Sequence, residues 1–164
     1  TIAVAEYVGP VYLRFGRPAW PIFMPEGSFK LGKAIVMNEG TDVTIFATGH
    51  LVWKAVEAAK ELEAQDLSVE LINIHTIKPL DSEAILKSVA KTKCAVVCEE
   101  HNRIGGLGSS IATLLGQELP TPLEYVAVND SFGESGTPDQ LLAKYGLDTP
   151  DVVKAVKKVI ARKK

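Results

Sequence analysis

The stretch that decides the fold is Val97-Cys-Glu-Glu-His-Asn-Arg-Ile-Gly-Gly-Leu-Gly-Ser-Ser-Ile111. An apolar run, Ala95 to Cys98, stops at a polar cluster from Glu99 to Arg103. Gly105, Gly106 and Gly108 follow, and a helical spacing of apolar residues begins at about Ser109. Strand, glycine loop and helix in that order form the building unit of an α/β sheet. The arrangement aims backbone N–H groups at an anion, and it equally lets a helix pack close to a strand. The glycines alone leave both readings open.

Working outward, the same alternation repeats. Ala34 to Met37 reads as a short strand, Asn38 to Thr41 as a turn, and Val43 to Ala47 as a buried strand ending at Thr48-Gly49. His50 to Gln65 reads as a helix, with Leu51, Ala55, Ala58 and Leu62 on one stripe. Val69 to Ile74 is the next strand. Asp81 then caps a helix from Ser82 to about Lys91. Cys94 to Cys98 is a strand, Ser109 to Leu119 a helix and Leu123 to Val128 a strand. Pro138 to Tyr145 is a helix closed by Gly146, and Thr149 caps a final helix with Pro150 at its first position. The order β-β-α-β-α-β-α-β-α-α predicts an α/β fold of three layers, α/β/α. Its five-stranded sheet is mainly parallel, with one antiparallel edge strand. The short link between the first two strands predicts that they pair antiparallel.

Upstream the pattern is less regular. Ile2 to Tyr7 resembles the end of a helix, and Gly9-Pro10 breaks it. Val11, Leu13 and Phe15 alternate with Tyr12 and Arg14, which predicts a strand. Arg17 follows just beyond its carboxyl end, where open α/β sheets bind ligands. Residues 18–29 hold Pro18, Pro21, Pro25 and Gly27 among Trp20, Ile22, Phe23, Met24 and Phe29. A linker this apolar must lie on something, and a neighbouring domain is the expectation. The chain therefore divides into the end of one domain (1–17), a linker (18–32) and an α/β domain (33–164). A first residue of Thr1 in the tail of a helix is expected of a fragment or a cleaved product.

The chain has 164 residues, 46% of them hydrophobic, and a formal net charge of −2. That is enough to bury a core, and the charge balance predicts neither a nucleic-acid nor an acidic-membrane partner. The one basic cluster, Lys157, Lys158, Arg162, Lys163 and Lys164, suits the end of a last helix. No apolar run reaches the ~20 residues that span a bilayer, and no signal peptide opens the chain, so the cytoplasm is the expected compartment. Cys94 and Cys98 stand about 13 Å apart at strand rise, too far to bond. No Cys/His ligand set predicts a metal site.

The chain resembles the carboxyl-terminal part of transketolases. Leu71-Ile-Asn-Ile-His-Thr-Ile-Lys-Pro-Leu-Asp81 is similar to that family's strand and Thr-Ile-Lys-Pro signature. Glu99-Glu-His-Asn-Arg-Ile-Gly-Gly-Leu-Gly108 is similar to its acidic, histidine and glycine loop. Phe132-Gly-Glu-Ser-Gly136 with Leu141-Leu-Ala-Lys-Tyr-Gly146 resembles its closing segment. Gly9-Pro-Val-Tyr-Leu-Arg-Phe-Gly-Arg17 resembles the end of the preceding, pyrimidine-binding domain. The resemblance covers essentially the whole chain, and it implies part of a thiamine-diphosphate enzyme that transfers a two-carbon ketol unit between sugar phosphates. Thiamine diphosphate and Mg would belong to the complete enzyme, and this segment alone would bind neither. The partners implied are an amino-terminal portion or subunit and a homodimer-type assembly. The resemblance also implies that the segment is inactive by itself and works mainly in packing and dimerisation. It places Arg17 as a ligand of the substrate phosphate, a role that suits a guanidinium fork. A 1-deoxyxylulose-5-phosphate synthase and a 2-oxoacid dehydrogenase β subunit are related alternatives, disfavoured by the Thr-Ile-Lys-Pro-Leu and Glu-His…Gly-Gly-Leu-Gly matches. A nucleotide-binding or regulatory module is another class. It lacks Gly-x-Gly-x-x-Gly after its first strand.

Other candidates are weighed on their chemistry. His101 stands beside two carboxylates after a strand, where general bases occur, but no nucleophile accompanies it, so a loop or subunit contact is expected. Gly105, Gly106 and Gly108 join it as loop or interface candidates. Glu99 and Glu100 are adjacent and should point apart. His50 at a helix start is expected neutral and capping-related, and His75 partly buried and hydrogen-bonded. Ser131 and Ser135 lack a Gly-x-Ser-x-Gly elbow. Trp53 lies among Glu57 and Lys60 on the polar side of its helix, which points to an interface.

Overall fold

The computed structural model describes residues 1–16, 19, 21–24, 27 and 29–163. After a single turn of helix, α1 (Ile2–Ala5), and an extended arm come β1 (Ile35–Asn38), β2 (Val43–Ala47), α2 (Leu51–Glu63), β3 (Val69–Asn73) and α3 (Ser82–Thr92). They are followed by β4 (Ala95–Asn102), α4 (Leu107–Glu118), β5 (Leu123–Val128), α5 (Pro138–Tyr145) and α6 (Thr149–Ile160). The sheet order is β1-β3-β2-β4-β5. The four strands β2 to β5 run parallel, and β1 is antiparallel at one edge.

Burial explains the layers. Every residue of β2 and β3 is buried, as is β4 from Ala95 to Glu99, because helices cover both faces of a parallel sheet. On one face α2 and α6 pack Leu51, Ala55, Leu62, Val152, Val156 and Val159 against Val43, Ile45, Leu71 and Val96. On the other, α3 and α4 pack Ile85, Val89, Ile111 and Leu115 against Phe46, Ile72 and Val97. Thr44 faces that second layer, and its hydroxyl is satisfied by Ser88 and Thr92 at 2.7 and 2.6 Å. The helix ends follow their punctuation. The Asp81 carboxylate accepts from the N–H of Ala84, Thr137 and Gln140 form a capping box, and Gly146 closes α5 at φ 68°.

Four expectations are corrected. First, β1 does not pair with β2, because β3 lies between them. The short link instead crosses the start of β3, so closely that a Cβ on Gly40 would overlap the Val69–Glu70 backbone. Thr41 and Ser68, and Asp42 and Ser68, hold the crossing by hydrogen bonds. Second, Val11 to Phe15 forms no strand. Alternation gives a strand only where a neighbouring strand offers hydrogen bonds, and no described strand pairs with it. Third, α6 is capped by Asp148, which forms a capping box with Asp151. Thr149 is already inside the helix, and its hydroxyl donates to Glu57 at 2.9 Å. Fourth, α4 starts two residues earlier than its apolar spacing suggests and β4 runs four residues further, regaining its register with β5 at Asn102–Val128 after an irregularity. Some of the described linker residues also touch this domain. Phe23 packs on Trp53 with ring centroids 5.5 Å apart, Phe29 on His75 at 4.4 Å, and Asn73 Nδ2 donates to Met24 Sδ at 3.8 Å. Among the described residues no helix is long and apolar enough to cross a membrane.

Candidate functional site

The strand order locates the site. From β2 the chain passes through α2 to β3 on one side, then returns through α3 past β2 to β4 on the other. Neighbouring connections therefore diverge between β2 and β4, and the crevice outside their carboxyl ends is where such sheets bind ligands.

Two short segments build that crevice. After β2, the N–H of Thr48 bonds the Cys98 carbonyl at 3.1 Å, and Gly49 turns the chain at φ 59°, a conformation that side chains disfavour. His50 follows. Its Nδ1 lies 2.9 Å from Oε2 of Glu100 on β4, with the two side chains 22% and 41% exposed. The expected capping role is corrected, since the His50 side chain makes no cap hydrogen bond. From above, the amino-terminal arm reaches the same ring, and a Cβ on Gly16 would overlap the His50 imidazole. Arg17 lies outside the described residues.

The glycine loop meets both open readings at once. Glu99 is 2% exposed, and its two oxygens accept from the N–H groups of Leu107 and Gly108 at 2.7 and 2.8 Å. The amino end of α4 therefore does receive an anion, and the anion is the chain's own carboxylate. A Cβ on Gly106 would overlap that carboxylate, and one on Gly108 the Tyr125 ring, while Gly105 takes φ 80°. Burial raises the Tyr125 phenol, against the pull of the Arg103 guanidinium 5.3 Å from its ring centre. Glu100 turns the other way, to His50, as strand alternation requires.

The remaining candidates are local. His101 is exposed, and its Nδ1 meets the Asn102 carbonyl at 2.9 Å. Asn102 bonds Asp130 at 2.8 Å and Arg103 bonds Asn129 at 3.2 Å, tying the ends of β4 and β5 together. Trp53 is half-buried under Phe23. His75 Nδ1 meets Thr76 Oγ1 at 2.8 Å, its buried Nε2 has no hydrogen-bond partner among the described residues, and burial lowers its pKa. Cys94 and Cys98 are buried free thiols that burial pushes up, which makes them unreactive. Among the described residues no group of three or more His, Cys, Asp or Glu could hold a metal.

The His50–Glu100 pair is the feature that reading the residues missed. Its signal was a histidine three residues past the end of the first strand of the parallel run.

Comparison with known proteins fixes the family. The model of the family "Transketolase, C-terminal domain" matches residues 32–152. The chain belongs to this transketolase C-terminal domain family. Within it, the chain is 47% identical over 161 residues to a 6-deoxy-6-sulfo-D-fructose transketolase subunit of Clostridium sp. strain MSTE9, covering 98% of this chain and 50% of that one. It is 35% identical over 153 residues to an apulose-4-phosphate transketolase subunit of Phocaeicola vulgatus, covering 92% and 49%. A 1-deoxy-D-xylulose-5-phosphate synthase of Pelotomaculum thermopropionicum is 37% identical, with 97% of this chain matching 26% of that enzyme. Among solved structures, a split-gene transketolase described as an inactive β4 tetramer superposes with a TM-score of 0.93 at 47% identity, covering 98% of this chain and 53% of that one. The chain thus spans about half the length of the transketolase subunits it matches.

Proposed function

We propose that this chain is the carboxyl-terminal part of a transketolase-type enzyme that moves a two-carbon ketol unit between sugar phosphates. The observation that carries the reading is the match, over 98% of the chain, to about half of transketolase subunits that are themselves parts of a larger enzyme. The amino-terminal portion or subunit would supply the rest. In this assembly residues 1–17 end the preceding domain and residues 33–164 form the domain described above.

The complete enzyme would use thiamine diphosphate with Mg, the cofactor stabilising the carbanion of the transferred unit. The residues of this chain do not fit the diphosphate. The N–H groups of Leu107 and Gly108, which would receive it at the one glycine-rich loop, are taken by Glu99. We assign cofactor and metal to the partner portion. This chain's contribution to the substrate is Arg17, whose guanidinium would hold a substrate phosphate through paired hydrogen bonds. His101, Gly105, Gly106, Gly108 and Trp53 serve loop structure and subunit packing in this reading.

The test mixes this chain with a matching amino-terminal portion, thiamine diphosphate and Mg, and follows ketol transfer from xylulose 5-phosphate to ribose 5-phosphate. Activity that requires both pieces is expected. Association without activity, or activity only with pyruvate and glyceraldehyde 3-phosphate as in a deoxyxylulose-phosphate synthase, would overturn it.

A further inference from the structure

We propose that His75 is an acid-sensitive latch: its neutral ring, under Phe29 and bonded to Thr76, holds residues 29–32, the end of the linker, against this domain, and protonation of the ring releases them. The latch is made of this domain's own contacts, and only its bearing on a preceding domain rests on the functional reading above.

Three observations carry it. First, the end of the linker is fitted to the turn after β3. Phe29 lies over the imidazole with ring centroids 4.4 Å apart, and the N–H of Gly32 donates to Thr76 Oγ1 at 3.3 Å. Gly32 takes φ 76° so close to Pro79 that a Cβ would stand 3.1 Å from the proline ring. Second, the imidazole is satisfied at one nitrogen. Nδ1 meets Thr76 Oγ1 at 2.8 Å, and the buried Nε2 has no partner among the described residues. A neutral ring can leave a bare lone pair at Nε2. A protonated ring carries an N–H and a charge there, which burial without an acceptor penalises heavily. A cation under the Phe29 face gains less than that loss. Third, no charge stands ready to compensate. The charged residues on the surrounding described segments are Lys30 and Lys33 before β1, Lys78 and Asp81 after β3, and Glu83 at the head of α3. Lys33 Nζ lies 3.5 Å from Asp81 and 3.4 Å from Glu83, so these three are paired among themselves, and no charged side chain is among the influences on His75. The Lys33 carbonyl favours the cation, more weakly than burial opposes it, and closes no hydrogen bond on Nε2. Lifting Phe29 uncovers the ring to water, so the charged ring favours the open linker.

The experiment follows this chain by NMR from about pH 7.5 to about pH 5.5, reading the His75 titration and the hydrogen exchange of Gly32 and Ala34 against their intrinsic rates. Protection at Gly32 is expected to fall several-fold across that range. Ala34 donates to Asp81, whose carboxyl is held below its ordinary value and stays charged throughout, so Ala34 should keep its protection. His75→Phe keeps a ring under Phe29 that cannot be charged, and it should abolish the pH dependence at Gly32. Phe29→Ala, a change at an exposed side chain, should move the His75 titration up toward its ordinary value. The move should match the factor by which protonation opens the linker in the parent chain, because linkage is reciprocal. A His75 titration in the parent at or above that of Phe29→Ala, the same pH dependence at Gly32 in His75→Phe, or loss of protection at Ala34 and β3 together with Gly32 would each overturn the inference. These readouts need neither substrate nor partner, so failure of the functional reading in the mixing experiment and failure of the latch are told apart.

Discussion

Glu99 occupies a place that an outside anion would otherwise fill. Its carboxylate is desolvated, accepts two backbone N–H groups and leaves no room for a side chain at Gly106. Removing it strands two buried donors at about 1–3 kcal/mol each. Glu99→Ala is therefore expected to lower the unfolding free energy by about 2–5 kcal/mol in urea titration, with Gly106→Ala also destabilising because its methyl overlaps the same carboxylate. At the same scale, His75 titrates with a definite sign. Burial holds its folded pKa below the ordinary value of 6.5, with the Lys33 backbone working weakly against that. A group depressed in the folded state contributes stability that is present above its unfolded pKa and lost as pH falls through the folded one. Thermal midpoints should thus drop as pH falls below about 6.5, and His75→Leu should flatten that part of the profile.

Among the elements, those with a continuous apolar run or hard punctuation were legible in the sequence. Val43–Ala47 and Leu123–Val128 are strands with the expected bounds, and α5 is set by Pro138 at its start and Gly146 at its end. Pairing was less legible. A link as short as Asn38–Thr41 ordinarily joins neighbours, and only the need for Gly40 to lie on the Val69–Glu70 backbone shows that it crosses a third strand. Gly40→Ala tests that crossing. The methyl has nowhere to go, so a loss of about 2 kcal/mol or more is expected, with faster hydrogen exchange concentrated in β1 and its neighbour β3. The site was half legible for the same reason. Its glycines were visible, whereas Glu99 as their anion depends on α4 beginning at Leu107. The His50–Glu100 pair depends on β2 and β4 being adjacent although far apart in sequence. Arg14 and Tyr12 alternate with apolar residues as in a strand, but periodicity cannot say whether a partner strand is present.

Across the whole molecule, the outer elements are tied to the sheet by carboxylates, and these make the fold acid-sensitive in a predictable direction. Asp81 accepts from the N–H of Ala34 at 2.9 Å and from Ala84, and pairs with Lys33, joining α3 to the start of β1. Glu124 pairs with Lys158 at 2.8 Å and with Arg162, joining β5 to α6 and the tail after it. Asp148 pairs with Lys54 at 2.8 Å, joining the cap of α6 to α2. Burial works to raise Asp81 and Glu124, but the hydrogen bonds and cations around them outweigh it. For Asp148 the Lys54 hydrogen bond is the largest influence, and all three are held below their ordinary values. Depressed carboxyls contribute fully above their unfolded pKa and lose that contribution as pH falls through the folded one. Stability should therefore be flat in these groups at neutral pH and fall below about pH 4.5. The loss should begin at the periphery, because Thr44, Ser88 and Thr92 satisfy the buried polar centre without charge. Lys54→Met removes the largest single influence on Asp148. It is expected to shift Asp148 upward in carboxylate NMR titration and to make the acid fall in the unfolding midpoint shallower. Because Lys54 anchors the cap, α6 should be the first helix to lose exchange protection on acidification of the parent chain. Uniform loss of protection across α2, α3 and β2 would show instead that the core, and not these peripheral ties, limits stability in acid.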